Sequence, residues 1–211
     1  MTQEERNQES LSQITHAAIR EFGKYGYQES SINRICQQGH ISKGKLYHYF
    51  SDKESLFHAC ACKTYQEFTD FMSRYRPEPA ATIEQNLHDF FHRRQYFFLQ
   101  NPYHPIVMFS TLKWFTPPED PSGKTAECMQ AYYRCINQLI HNIFELYSGD
   151  LLSDIDLATE VVRVSLNRIQ FDFGIPNWDP ENPSEELMNA NLRRFDRLIH
   201  LLLYGAMKRD K

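Results

Sequence analysis

The chain has 211 residues, 41% of them hydrophobic and 14% aromatic, and a formal net charge of −4. That is long enough for a sizeable core and too apolar for a disordered chain, while the acidic balance argues against a nonspecific nucleic-acid binder. No run of 18 apolar residues marks a membrane-spanning helix. The N-terminal MTQEERNQES is polar and contains no apolar signal region. Five cysteines without repeating spacing argue against a disulfide framework and for a reducing, cytoplasmic setting.

Taken in chain order, the elements read as helices almost throughout. Thr2-x-x-Glu5 is a capping box. Leu11, Ile14, Ala18, Phe22 and Tyr25 recur every three or four residues and predict an amphipathic helix that Gly26 ends. Ser30 is a candidate N-cap for a short helix carrying Ile32, Ile35 and Cys36, broken at Gly39-His40. A third short helix runs from Ser42 to Tyr49. Ser51-x-x-Glu54 reads as a second capping box, opening a helix with Leu56, Phe57, Cys60, Thr64, Phe68 and Phe71 on one face. RPEP at 76–79 is the first strong punctuation and reads as a boundary between the first helices and the rest. Five further helices follow at about 80–100, 103–115, 124–148, 155–173 and 185–204, the last begun by Ser184 ahead of Glu185 and Glu186. Strand alternation is nowhere sustained, so the fold class is all-α.

The third short helix carries the chemistry. On a helical wheel Leu46, Tyr49 and Phe50 share one side, while Lys43, Gly44, Tyr47 and His48 oppose them and Lys45 lies at the flank. Residues 31–53 hold Arg34, Lys43, Lys45 and Lys53 against Asp52 alone, a small basic patch on an acidic chain. Glycine inside a helix costs about 1 kcal/mol against alanine, which makes sense where another surface must approach the backbone. A DNA major groove offers such an approach. Two short helices joined by a tight turn, the second with a basic face, suit a helix-turn-helix. An ordinary helical hairpin with a solvated charged face is the alternative.

Residues 14–56 also resemble the N-terminal DNA-binding region of TetR-family transcriptional regulators. The resemblance rests on Ala17-Ala18, Phe22, Gly26, Ser30-Ser31-Ile32, Ile35, Ser42-Lys43-Gly44, Leu46 through Phe50, and Lys53-Glu54-x-Leu56. It implies a three-helix DNA-binding domain over 1–51 and a larger helical regulatory, effector-binding and dimerisation domain over 52–211. It also implies a homodimer on a palindromic operator of double-stranded DNA, usually a repressor released by a small molecule. Ser42, Lys43, Gly44 and Lys45 are then expected at or near the bases, and Tyr47, His48 and Lys53 on the phosphate backbone. Ser30 and Ser31 support them, and Arg34 is a further contact that the family pattern does not fix. Two positions depart from the pattern. His40 stands where the family usually has the turn glycine, and Lys45 where a small residue is common. If position 40 needs a positive φ, histidine tolerates it at some cost.

The middle of the chain is rich in aromatic residues, which suits an apolar cavity for an amphipathic or aromatic effector. His88, Phe91, His92, Trp114, Tyr133, Asn137 and His141 are the effector-binding candidates. The stretch LIHLLLY at 198–204 is apolar nearly all round, so its helix must be covered on more than one side. Together with the helix at 155–173 it is expected to form a four-helix dimer interface through Val162, Leu166, Ile169, Phe195, Ile199 and Leu203. His58, Cys60 and Cys62 do not share one helical face, and His88 with His92 offers only two ligands, so no metal site or cofactor is expected. Cys128 and Cys135 lie seven apart on one helical face, a spacing open to a redox sensor, with buried packing as the default. No phosphate-binding loop, dinucleotide-binding pattern, nucleophile elbow or HExxH helix is present, so no enzyme is expected; a helical enzyme or scaffold without DNA binding is the competing class.

Overall fold

The computed structural model describes residues 2–111, 123–149 and 154–204, except the side chains of 171 and 173. The described residues form α1 (Gln3–Glu29), α2 (Ile32–Gln38), α3 (Lys43–Tyr49), α4 (Lys53–Met72), α5 (Ile83–Gln100), α6 (His104–Phe109), α7 (Lys124–Glu145), α8 (Ile155–Ile169) and α9 (Glu185–Tyr204). A π-helical turn, Gln170–Gly174, follows α8. No strand occurs among the described residues.

The start signals act largely as the sequence predicts. Thr2 and Glu5 form the reciprocal box at the head of α1. Gly26 takes φ 70° inside the stretch assigned to α1, so the regular helix breaks at the glycine expected to end it. Ser184 Oγ accepts the Leu187 amide at 3.2 Å and caps α9. The cap of α4 differs by one residue. Asp52 Oδ1 accepts the Ser55 amide at 2.7 Å, and Ser55 Oγ accepts the Asp52 amide at 3.3 Å, so Asp52-x-x-Ser55 takes the place of Ser51-x-x-Glu54. Asp is as good an N-cap as Ser, and the serine hydroxyl three residues on completes the exchange.

The chain forms two compact units. The first comprises Met1–Glu67 and Asn101–Gln130, and the second Phe68–Gln100 and Ala131–Lys211. The first therefore extends beyond residue 51. Its core joins Ile14, Ala18 and Phe22 of α1, Ile35 of α2 and Leu46 of α3 with Leu56, Phe57, Cys60 and Ala61 of α4 and Val107 of α6. A Cβ at Gly23 would stand 2.6 Å from the Tyr103 Cβ, so α1 and the start of α6 meet at backbone distance. Tyr65 donates to the Met108 carbonyl at 2.8 Å, and His104 Nε2 to Glu67 at 2.7 Å.

Composition argues against disulfides, yet Cys62 of α4 and Cys128 of α7 are joined as one, with Cα atoms 5.4 Å apart. The partners lie 66 residues apart in sequence, a separation that no local spacing rule reports. Cys128 thus pairs with Cys62, and Cys135 remains a free thiol.

The second unit is built on rings. Phe68 stands 5.2 Å from Phe98 and 5.4 Å from Tyr132, and Phe91 lies 4.3 Å from Phe195. Arg94 is buried among them, its Nη1 donating to Gln170 Oε1 at 3.1 Å and its guanidinium 5.2 Å from the Phe98 centroid.

Candidate nucleic-acid interface

Leu46 has no exposed surface and seats α3 on the core of the first unit. The opposite face follows from helical geometry. Ser42, Lys43, Gly44, Tyr47 and His48 are exposed, Tyr47 by 50%, and Lys45 is half-buried at the flank. Ser42 Oγ accepts the Lys45 amide at 3.1 Å and starts the helix. Gly44 sits within the helical stretch, and a Cβ added there would meet nothing within 4 Å. No contact among the described residues requires glycine at this position. The space it leaves lies on the outer face.

The turn before α3 divides its demands between two residues. Gly39 has φ −83°, which any residue adopts, but a Cβ there would stand 2.5 Å from Ile41 Cδ1 and 2.9 Å from Ala17 Cβ. Its glycine is needed for space. The left-handed conformation falls on His40, at φ 50°. Gln13 Nε2 donates to the Gly39 carbonyl at 2.9 Å and ties the turn to α1.

The other four sequence candidates make hydrogen bonds within the module. Ser31, not Ser30 as the sequence suggests, caps α2 by accepting the Asn33 amide, because Ser30 is buried and its hydroxyl donates to the Tyr27 carbonyl at 2.7 Å. Arg34 Nε donates to Glu21 Oε1 at 2.7 Å, its Nη2 donates to the Glu29 carbonyl, and its guanidinium lies 4.4 Å from the Tyr25 ring. Lys53 Nζ donates to the carbonyls of Ser30 at 2.8 Å and Gln28 at 3.2 Å, 4.7 Å from the Tyr27 ring. Burial holds its ammonium below the ordinary lysine value, with Glu29 and Glu21 opposing that effect. Sequence reasoning missed Glu21. This carboxylate has no exposed surface and accepts from Arg34, from the Ser31 amide at 2.9 Å and from Gln38 at 3.4 Å. The available signal was an acid next to Phe22, on the buried side of the first helix.

The described effector candidates do not converge on one cavity. Phe91 is core. His88 Nδ1 pairs with Asp196 at 2.8 Å and stacks with His92 at 6.4 Å, beside a cleft of about 590 Å³ lined also by Glu84 and Asp89. Asn137 and His141 line a different cleft of about 590 Å³ between α7 and α8, with Arg134, Thr159 and Arg163. Tyr133 lies 6.0 Å from the Arg163 guanidinium, and burial pushes its hydroxyl up from the usual range. Trp114 lies outside the described residues. Of the dimer candidates, Val162, Leu166, Ile169, Phe195 and Ile199 are buried within the second unit, and Leu203 is half-buried. The apolar side chains open to solvent on these helices are Leu157, Val164, Leu201, Leu202 and Tyr204.

A core-seated pair of short helices joined by a tight turn, the second with an exposed basic face around a glycine, has the form of a helix-turn-helix. Residues 14–60 match the family described as bacterial regulatory proteins, tetR family. A curated relative, the HTH-type transcriptional repressor Rv1474c of Mycobacterium tuberculosis, is 36% identical over 62 residues, 29% of this chain and 33% of that one. The match thus spans about a third of that relative's length. Among solved structures, the TetR family transcriptional regulator PfmR from Thermus thermophilus aligns over 92% of this chain and 99% of its own, at a TM-score of 0.64 and 19% identity. The transcriptional regulator FadR from Bacillus subtilis, in complex with stearoyl-CoA, aligns over 92% and 98%, at 0.61 and 19%. At those identities the two structures speak for the fold.

Proposed function

We propose that the protein is a sequence-specific DNA-binding transcriptional regulator, a cytoplasmic homodimer that represses from a palindromic operator and is released by a small molecule. The observation that carries this is the outer face of α3, where Gly44 leaves open space between Lys43, Lys45, Tyr47 and His48. The two α3 helices of a dimer enter successive major grooves about 34–36 Å apart. Lys43 and Lys45 read guanine O6 and N7 or neutralise phosphates, Tyr47 and His48 hold the backbone, and Gly44 lets the helix axis come close. Residues 1–51 are the DNA-binding part and 52–211 the regulatory part.

The effector is a mostly apolar, amphipathic molecule. The aromatic content of the second unit supports that class, as does the stearoyl-CoA carried by the FadR structure. Its occupancy acts through α4, which is separated from α3 by three residues. Release requires that the effector bind the DNA-free state better than the DNA-bound one. The test is selection from a random duplex library with the purified chain, followed by gel shifts across salt concentrations. A recovered palindrome whose affinity falls steeply with salt supports the proposal. Failure of any sequence to enrich defeats it and favours a helical protein with another task.

A further inference from the structure

Cys62 and Cys128 face each other within the first unit, the one that contains the helix-turn-helix. Their Cα separation of 5.4 Å lies within the range of about 4.4–6.8 Å that a disulfide spans. The other cysteines are placed differently. Cys36 and Cys60 are buried, and burial pushes both thiols up, Cys60 far above the usual thiol range. Burial also raises the Cys135 thiol, helped by the charge of Asp70. Cys62 and Cys128 are only half-buried, so a small oxidant or thiol can reach them.

We propose that Cys62 and Cys128 are a reversible thiol–disulfide pair through which a hydroperoxide changes the protein's affinity for DNA. This rests on the DNA-binding function proposed above. A regulator that works on DNA sits among cellular thiols, where a disulfide persists only transiently. The step balances as follows. One thiolate attacks the peroxide, the O–O bond breaks, and an alkoxide or hydroxide leaves and takes a proton. The resulting sulfenic acid is attacked by the second thiolate, the S–O bond breaks and water departs. Two sulfurs lose two electrons in all and the hydroperoxide gains them. Two glutathione thiols reverse the step and leave as glutathione disulfide.

The surroundings fit a pair that opens and recloses. One turn before Cys62, His58 Nδ1 lies 2.7 Å from Thr125 Oγ1, a second rung between α4 and α7. That rung holds the two helices in register when the sulfurs separate, so reclosure is intramolecular. Cys62 Sγ lies 3.3 Å from the carbonyl of Lys124, the first residue of α7, an acceptor that the thiol can donate to once the sulfurs separate. The consequence reaches DNA through α4, whose Leu56, Phe57, Cys60 and Ala61 share the core that seats α3. Oxidation ties α4 to α7 through a covalent bond; reduction leaves the junction to hydrogen bonds and packing.

The test uses the full-length protein and a duplex that it selects itself. Hydrogen peroxide is expected to reduce the five titratable thiols to three, with peptide mapping that finds the Cys62–Cys128 cross-link. Millimolar reduced glutathione is expected to restore all five. Affinity for the duplex is expected to differ about fivefold or more between the two forms, and to ignore peroxide in the Cys62→Ser, Cys128→Ser double variant. A cross-link through another cysteine, or a disulfide that glutathione cannot reopen, overturns the pair as a switch. Equal affinities with reversible thiols overturn its coupling to DNA alone. If no duplex enriches in either redox state, the DNA-binding function fails and this coupling fails with it.

Discussion

Gly44 separates folding from binding at a single residue. Its added Cβ meets nothing in the molecule, so Gly44→Ala is expected to stabilise the protein by about 1 kcal/mol through helix propensity. The same methyl group points at the proposed DNA surface, and affinity for the selected duplex is expected to fall about tenfold or more, since each good base contact is worth about 1–3 kcal/mol. Thermal melts and gel shifts on one preparation read both. A variant equally stable and equally tight would mean that close approach to DNA does not explain this glycine. The turn offers the converse case. His40→Gly relieves a left-handed histidine and should stabilise by up to about 1 kcal/mol, whereas Gly39→Ala drives a methyl group into Ile41 and Ala17 and should destabilise by about 1–3 kcal/mol. The sequence already held the question about position 40, because a resemblance can mark where a glycine is missing. It could not tell that Gly39 answers a need for space, since that need arises from Ala17, in the preceding helix α1. Glu21 was hidden for the same reason: its partners Ser31, Arg34 and Gln38 reach it only once α2 packs on α1.

At the scale of elements, helix periods and caps made the helices legible, and the shared stretch 14–60 made the module legible. Which cation faces outward was not legible, because Lys45 and Lys53 look alike in a sequence. Lys45 lies at the flank of the exposed face of α3, while Lys53 is tied to the carbonyls of Gln28 and Ser30. Lys45→Ala is therefore expected to change the sequence selected, at about 1–3 kcal/mol, with little change in melting. Lys53→Ala is expected to destabilise the module by about 1–2 kcal/mol, since the connection between α1 and α2 loses two charge-assisted hydrogen bonds. Sequence selection and denaturant melts on both variants check this; a Lys53→Ala protein that melts like wild type contradicts it. The α4–α6 contact adds a pH signature. The hydrogen bond from His104, then that from Lys63, holds the Glu67 carboxyl below its ordinary value against a desolvation that acts the other way. A depressed folded value gives stability that is present above the unfolded carboxylate value of about 4.3 and lost as pH falls through the folded one. Glu67→Gln should melt earlier at neutral pH and lose part of the acid dependence below about pH 4.

For the whole molecule the open question is what covers the outer side of α8 and α9. These helices pack together in the second unit and send Val162, Leu166, Ile169, Phe195 and Ile199 inward. An apolar period alone cannot say which of two apolar sides a helix turns inward, and LIHLLLY is apolar on both. The side chains left outside are Leu157 and Val164 on α8 and Leu201, Leu202 and Tyr204 on α9, each between 43% and 56% exposed. Leu157 and Val164 lie seven residues apart on one face of α8, and Leu201 and Tyr204 three apart on one face of α9; an exposed apolar face marks an interaction surface more often than a scattered residue does. In a homodimer with twofold symmetry each of them is buried twice. Leu201→Asp should accordingly remove two leucine burials of about 1.5–3 kcal/mol each and place two carboxylates in the interface. Light scattering at micromolar concentration is expected to show wild-type dimers and Leu201→Asp monomers. The monomer's own melt should move little, because an exposed side chain contributes within about 0.5 kcal/mol, whereas Ile199→Asp, on the buried side, should not fold. Monomers that meet a palindrome one half-site at a time lose the second, linked contact, so affinity should fall about a hundredfold or more. A wild-type protein that stays monomeric at micromolar concentration, or a Leu201→Asp variant that stays dimeric, would remove this face from the proposed interface.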